Sequence, residues 1–167
     1  MCLRAGGLSI LSAIELHKLQ LPQPAGRVLI SPWIDMALSD YEGGCAWVES
    51  DYIVAANSLL PTLTAMFLGN APDDMPDTNP LYQQPCDIDF LNPQLILVGS
   101  AEITLQDCKR WASLCKRANI RHELVIEWGR LHVYALGSAF LDPEICRKTD
   151  SKILGWIKTC LDGKLQD

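Results

Sequence analysis

The run Gln94-Leu-Ile-Leu-Val-Gly99, the segment Leu105 to Ala118 and the run His122-Glu-Leu-Val-Ile-Glu127 carry the architecture of this chain. The first is an apolar run bounded by Pro93 and Gly99, which reads as a strand buried on both faces. The second has helical periodicity, and the third is again short and rich in branched residues. Strand, helix, strand with no hairpin turn between them implies parallel strands joined by a crossover, hence an α/β layered fold.

Working towards the N-terminus, Arg27-Val-Leu-Ile-Ser31 is a further buried strand stopped by Pro32. A helix is expected over 6–20, with Leu8, Leu11, Ile14 and Leu19 on its apolar face and Pro22 and Pro24 closing it. Ser50 and Asp51 can cap a helix over about 53–68 that ends at Gly69 and Asn70, and Pro61 inside it should kink or split it. Pro72, Pro76, Pro80, Pro85 and Pro93 make 71–93 a long ordered loop. Towards the C-terminus a last helix is expected from Pro143 to Leu161, with Pro143 in its first turn. The expectation is one domain over 1–167 with about three parallel strands flanked by helices, and a less regular region at 36–93.

With 167 residues, 49% of them hydrophobic, and a net charge of -6, the chain has the composition of one ordinary globular domain. An acidic balance without a Lys/Arg cluster argues against nucleic acid and anionic membranes as partners. Pro61 interrupts the longest apolar stretch, Val54 to Leu68, and the first residues lack the apolar core of a signal peptide, so no membrane span and a soluble, cytoplasmic protein are expected. The seven cysteines include no Cys-x-x-Cys pair and no zinc-like Cys/His spacing, so free thiols are expected, with neither metal nor other cofactor. Cys108 and Cys115, two helical turns apart, share a face that suggests packing.

Reactive groups in open parallel sheets gather at the carboxyl ends of the strands. Gly99-Ser-Ala-Glu102 follows one strand and Trp128-Gly-Arg-Leu-His132 follows the next. A carboxylate and an imidazole delivered by adjacent strand ends suit proton transfer to and from a hydroxyl nucleophile, which makes Glu102 and His132 the candidate catalytic residues. Each has a plainer reading: Glu102 as a charge complementing a helix N-terminus, His132 as a capping or half-buried histidine. His17 reads as a surface histidine, His122 as a strand-end residue, and Asp73 with Asp74 as a solvated loop pair.

Taken in order, Ala5-Gly-Gly7, Leu29-Ile-Ser-Pro-Trp-Ile-Asp35, Asn79-Pro-Leu-Tyr82, Val98-Gly-Ser-Ala-Glu102 and Glu127-Trp-Gly-Arg-Leu-His-Val133 resemble the C-terminal half of the hormone-sensitive-lipase-like branch of the α/β-hydrolases. The resemblance covers nearly the whole chain and is weaker over 36–78. It implies a carboxylic ester hydrolase in which Glu102 is the acid and His132 the general base, acting on a small ester. The family's nucleophile elbow, Gly-Asp-Ser-Ala-Gly-Gly, falls on Cys2-Leu-Arg-Ala-Gly-Gly7, so Arg4 stands where the serine should be. A guanidinium is no acyl acceptor, and the family's His-Gly-Gly oxyanion loop has no counterpart; one oxyanion donor alone contributes about 2.7–4 kcal/mol. The expectation is therefore a chain truncated relative to its family and inactive alone, a pseudoenzyme candidate that awaits completion by upstream sequence. The competing expectation is a non-catalytic binding or assembly module, self-associating through an open sheet edge and the last helix.

Overall fold

The computed structural model describes residues 5–41, 51, 56–137 and 142–163. Arg4, Cys2, Cys45, Ser50 and the expected start of a helix at 53 lie outside them. Strands β1 (Arg27–Ile30), β2 (Gln94–Gly99) and β3 (His122–Glu127) form a parallel sheet in the order β1-β2-β3, with Arg27 beside Gln94 and Gln94 beside His122. Helices α1 (Ala5–Lys18), α2 (Ala56–Leu68), α3 (Leu105–Arg117) and α4 (Pro143–Leu161) complete the described elements. The expected α/β architecture of three parallel strands flanked by helices is the one observed.

Alternation along the strands sorts the layers, because successive side chains point to opposite faces. Leu29, Ile96 and Val98 pack with Ile10, Ala13 and Ile14 of α1 and with Cys108, Trp111 and Cys115 of α3. On the other face Leu95 and Leu97, with Val28, Ile30 and Val125, meet Tyr134, Ala135 and Ile153 and Trp156 of α4. β2 is buried along its whole length, so its apolar run has no polar face to show. Burial pushes the Cys115 thiol up to about 12 and the Cys108 thiol up as well, which keeps both as packing groups.

The end of α1 differs from its expected cause. α1 stops at Lys18, before Pro22 and Pro24 come into play. Gln20 adopts a left-handed conformation (φ 56°), and Leu21 N–H reaches back to the Leu16 carbonyl, which is a Schellman ending. Asn119 (φ 57°) closes α3 in the same way, with Ile120 N–H on the Cys115 carbonyl. Pro61 does not split α2, which runs unbroken from Ala56 to Leu68. One proline removes a single hydrogen bond, and Leu60, Leu63 and Leu68 hold the helix against Trp33 and Met36.

The segment after β1 is fixed by two buried carboxylates. Asp107, on α3, accepts from the Ile34 and Asp35 amides, each at 2.9 Å, and from the Tyr41 hydroxyl at 3.2 Å. Burial pushes Asp107 up to about 7, against the pull of those amides. Asp35 accepts from the Ala37 and Ser39 amides, from Asn79 Nδ2 and from Arg110 Nη1 at 2.8 Å; these donors and the guanidinium outweigh burial and hold its carboxyl below its usual range.

Arg27, at the start of β1, is 5% exposed, and its Nε, Nη1 and Nη2 have no hydrogen-bond partner among the described residues. Burial pulls its guanidinium down to about 10. A buried cation without an acceptor is a net cost to folding. Arg27→Leu is therefore expected to raise stability by about 1–3 kcal/mol, read as a higher midpoint in thermal or urea unfolding. A lower midpoint would contradict the assignment of this cation as unpaired.

Candidate active site

The carboxyl ends of β2 and β3 lie side by side because the strands are parallel neighbours in register, with Gly99 opposite Glu127. The turn leaving β2 carries Glu102, and the turn leaving β3 carries His132. Gly99 makes their approach possible. A Cβ there would fall on the Arg130 carbonyl, and that same carbonyl accepts from the Ala101 amide at 3.1 Å. Ser100 adds a second tie, its amide donating to the Glu127 carbonyl and its Oγ accepting from the Gly129 amide at 2.8 Å.

His132 Nδ1 lies 2.8 Å from Glu102 Oε2, and both side chains are almost completely buried. The structure thus brings together the two residues that the strand-end argument singled out. Glu102 is held from several sides: Thr104 Oγ1 donates to Oε2 at 2.9 Å, Ser31 Oγ donates to Oε1 at 3.0 Å, and the Gly99 amide also donates to Oε1. A carboxylate with this many donors is fixed in place beside the adjoining imidazole.

A second acid in this cluster was not foreseen. Asp51 is fully buried, its Oδ2 accepts from the Ile103 amide at 2.9 Å, and it lies 4.0 Å from His132 Nδ1. In the sequence it stands next to Ser50 as a helix-capping residue, and no local pattern connects it to a turn about eighty positions away.

Asp51, Glu102 and His132 form one of two groups among the described residues whose donor atoms are close enough to share a metal ion; Asp35, Asp40 and Asp107 form the other. In both groups the carboxylates already accept hydrogen bonds from the protein, and Arg110 Nη1 lies 2.8 Å from Asp35 and 3.2 Å from Asp40. The remaining polar candidates stand apart from this site. His17 is exposed and stacks on Phe90, with ring centroids 3.6 Å apart. His122 Nδ1 lies 2.8 Å from the Ile120 carbonyl, and Asp73 offers its main-chain carbonyl to Asn79 Nδ2. No helix among the described residues is long and apolar enough to cross a membrane.

Comparison with known proteins gives this geometry a context. Residues 5–136 match the α/β hydrolase fold family. An esterase of Acinetobacter venetianus is 26% identical over 136 residues, covering 80% of this chain and 44% of that protein. A hormone-sensitive-lipase homologue from a metagenome library superposes with a TM-score of 0.82 at 28% identity, over 93% of this chain and 51% of that one. A second metagenomic hormone-sensitive lipase gives a TM-score of 0.81 at 28% identity, over 92% and 50%. The chain thus spans about half the length of these relatives.

Gly99→Ala should separate the two turns. The added methyl meets main chain, which has no rotamer to yield, so a loss of about 1–3 kcal/mol is expected in chemical unfolding. An unchanged midpoint would show that the Arg130 carbonyl is not held against Gly99.

Proposed function

This chain belongs to the α/β hydrolase fold family, and we propose that Glu102 and His132 are the acid and general base of a serine carboxylic ester hydrolase. The observation that carries the reading is the 2.8 Å contact between His132 Nδ1 and Glu102 Oε2 at adjoining strand ends. With Nδ1 turned to the carboxylate, Nε2 is the proton acceptor. In the reaction a serine Oγ attacks the acyl carbon while His132 takes its proton. The imidazolium, steadied by Glu102, then protonates the departing alkoxide, and water repeats the sequence to release the acid. Glu102 acts by orientation and electrostatics.

The serine has to come from elsewhere than the matching position, since Arg4 stands there and cannot accept an acyl group. The 167-residue chain by itself is therefore expected to hydrolyse a short p-nitrophenyl ester no faster than buffer. Turnover that vanishes in His132→Ala but survives in Arg4→Ala would overturn this. Introducing Cys2→Gly with Arg4→Ser supplies the expected elbow residues, and labelling of the new hydroxyl by a fluorophosphonate should then fall about 100-fold or more in His132→Ala. Labelling indifferent to His132 would remove the acid–base assignment.

A second reading, an assembly module, rests on the surface. β1 is paired by β2 alone among the described strands, and α4 exposes Leu154, Ile157 and Leu161 at spacings of three and four residues. Light scattering across micromolar concentrations is expected to give a mass above the monomer's 18.5 kDa that falls back with Leu154→Glu. A monomer at every concentration would exclude self-association.

A further inference from the structure

We propose that Ser31 is a positioning residue for the Glu102–His132 pair, its one hydroxyl joining the acid to the main chain that carries the base. The inference rests on the acid–base reading above and extends it to the third strand. Ser31 directly follows β1, is 1% exposed, and continues the ladder through its amide on the Leu97 carbonyl at 2.8 Å. Its φ of 45° is left-handed, a conformation costly for a residue with a Cβ and sustained only where the surroundings impose it.

That turn of the backbone accompanies a hydroxyl with both functions in use. Oγ donates to Glu102 Oε1 at 3.0 Å and accepts from the Val133 amide at 2.9 Å. Val133 is the residue next to His132 and is itself left-handed, with φ 54°. A single oxygen therefore ties the acid on the turn after β2 to the backbone beside the base on the turn after β3. Glu102 Oε1 and Oε2 have separate duties: Oε1 is anchored by Ser31 and the Gly99 amide, while Oε2 faces His132 and Thr104. Loss of the hydroxyl would strip one donor from Oε1 and leave the Val133 amide without its acceptor, freeing the carboxylate to rotate and the histidine turn to move.

The measurement is made on the imidazole itself, so that its outcome is separable from whether any completed form of the protein cleaves esters. In the isotopically labelled chain the Nδ1 proton of His132 is followed by NMR in the far-downfield region, with Glu102→Gln identifying it by its disappearance. Ser31→Ala is expected to speed exchange of that proton with solvent about tenfold, while the amide pattern of β2 stays in place. Ser31→Cys, which keeps a side chain of similar shape with a weak donor, is expected to fall between the two and serves if the alanine variant does not fold. An exchange rate equal to the parent's in the folded variant would overturn the proposal. So would the absence of a resonance dependent on Glu102 in the parent.

Discussion

A carboxylate buried beyond the reach of water must be given donors by the protein, and Glu102 receives them from parts of the chain that nothing else would draw together. The amide of Gly99 comes from its own strand, the hydroxyl of Ser31 from the end of the strand on one side, and His132 from the turn beyond the strand on the other. The ends of all three strands are thereby fastened at one point. Parallel strands place their carboxyl ends on the same side of the sheet, so the topology supplies the neighbourhood and the carboxylate supplies the fixing.

Asp107 and Asp35 form a comparable arrangement, and together they explain the form of the segment that leaves β1. The chain passes from Ser31 through Pro32 and Trp33 into a series of turns without regular ladder bonds. Those turns are closed by side-chain oxygens: Asp107 takes the Ile34 and Asp35 amides, and Asp35 takes those of Ala37 and Ser39. Asn79 joins in by donating to Asp35 and by capping Leu81, so the Asn-Pro-Leu-Tyr turn is fastened to the same segment. Ser-Pro-Trp-x-Asp thus has separate physical tasks along its length: a bridging hydroxyl, a tryptophan packed into the core, and an acid that organises its own loop.

These tasks mark the boundary of what the sequence discloses. Strand-forming runs such as 94–99 are legible because burial on both faces removes polar residues from the pattern, and helix α4 is legible because Pro143 suits a first turn. Glu102 and His132 are legible because the end of a strand is a place that periodicity locates. The ending of α1 is not, since Gln20 enters a left-handed conformation that glycine more often occupies. Pro61 is overridden by packing around it. Asp51 and Ser31 reach the site through contacts spanning fifty or more positions, and no spacing rule within one element can report a contact of that kind.

The physical worth of the Glu102–His132 contact does not depend on a nucleophile. Losing the carboxylate 2.8 Å from the buried His132 Nδ1 takes a polar neighbour from a group shielded from water, which costs about 1–3 kcal/mol. Here the acid also holds the Gly99 amide and the Ser31 hydroxyl, whose partner is the Val133 amide. The Glu102–His132 contact therefore has a structural worth of its own, apart from any chemistry. The same rigidity bears on the proposed acid–base role: a pair already held in place would need no reorganisation when a hydroxyl is delivered to it. The ends of three strands thereby hold an acid and an imidazole in one fixed arrangement.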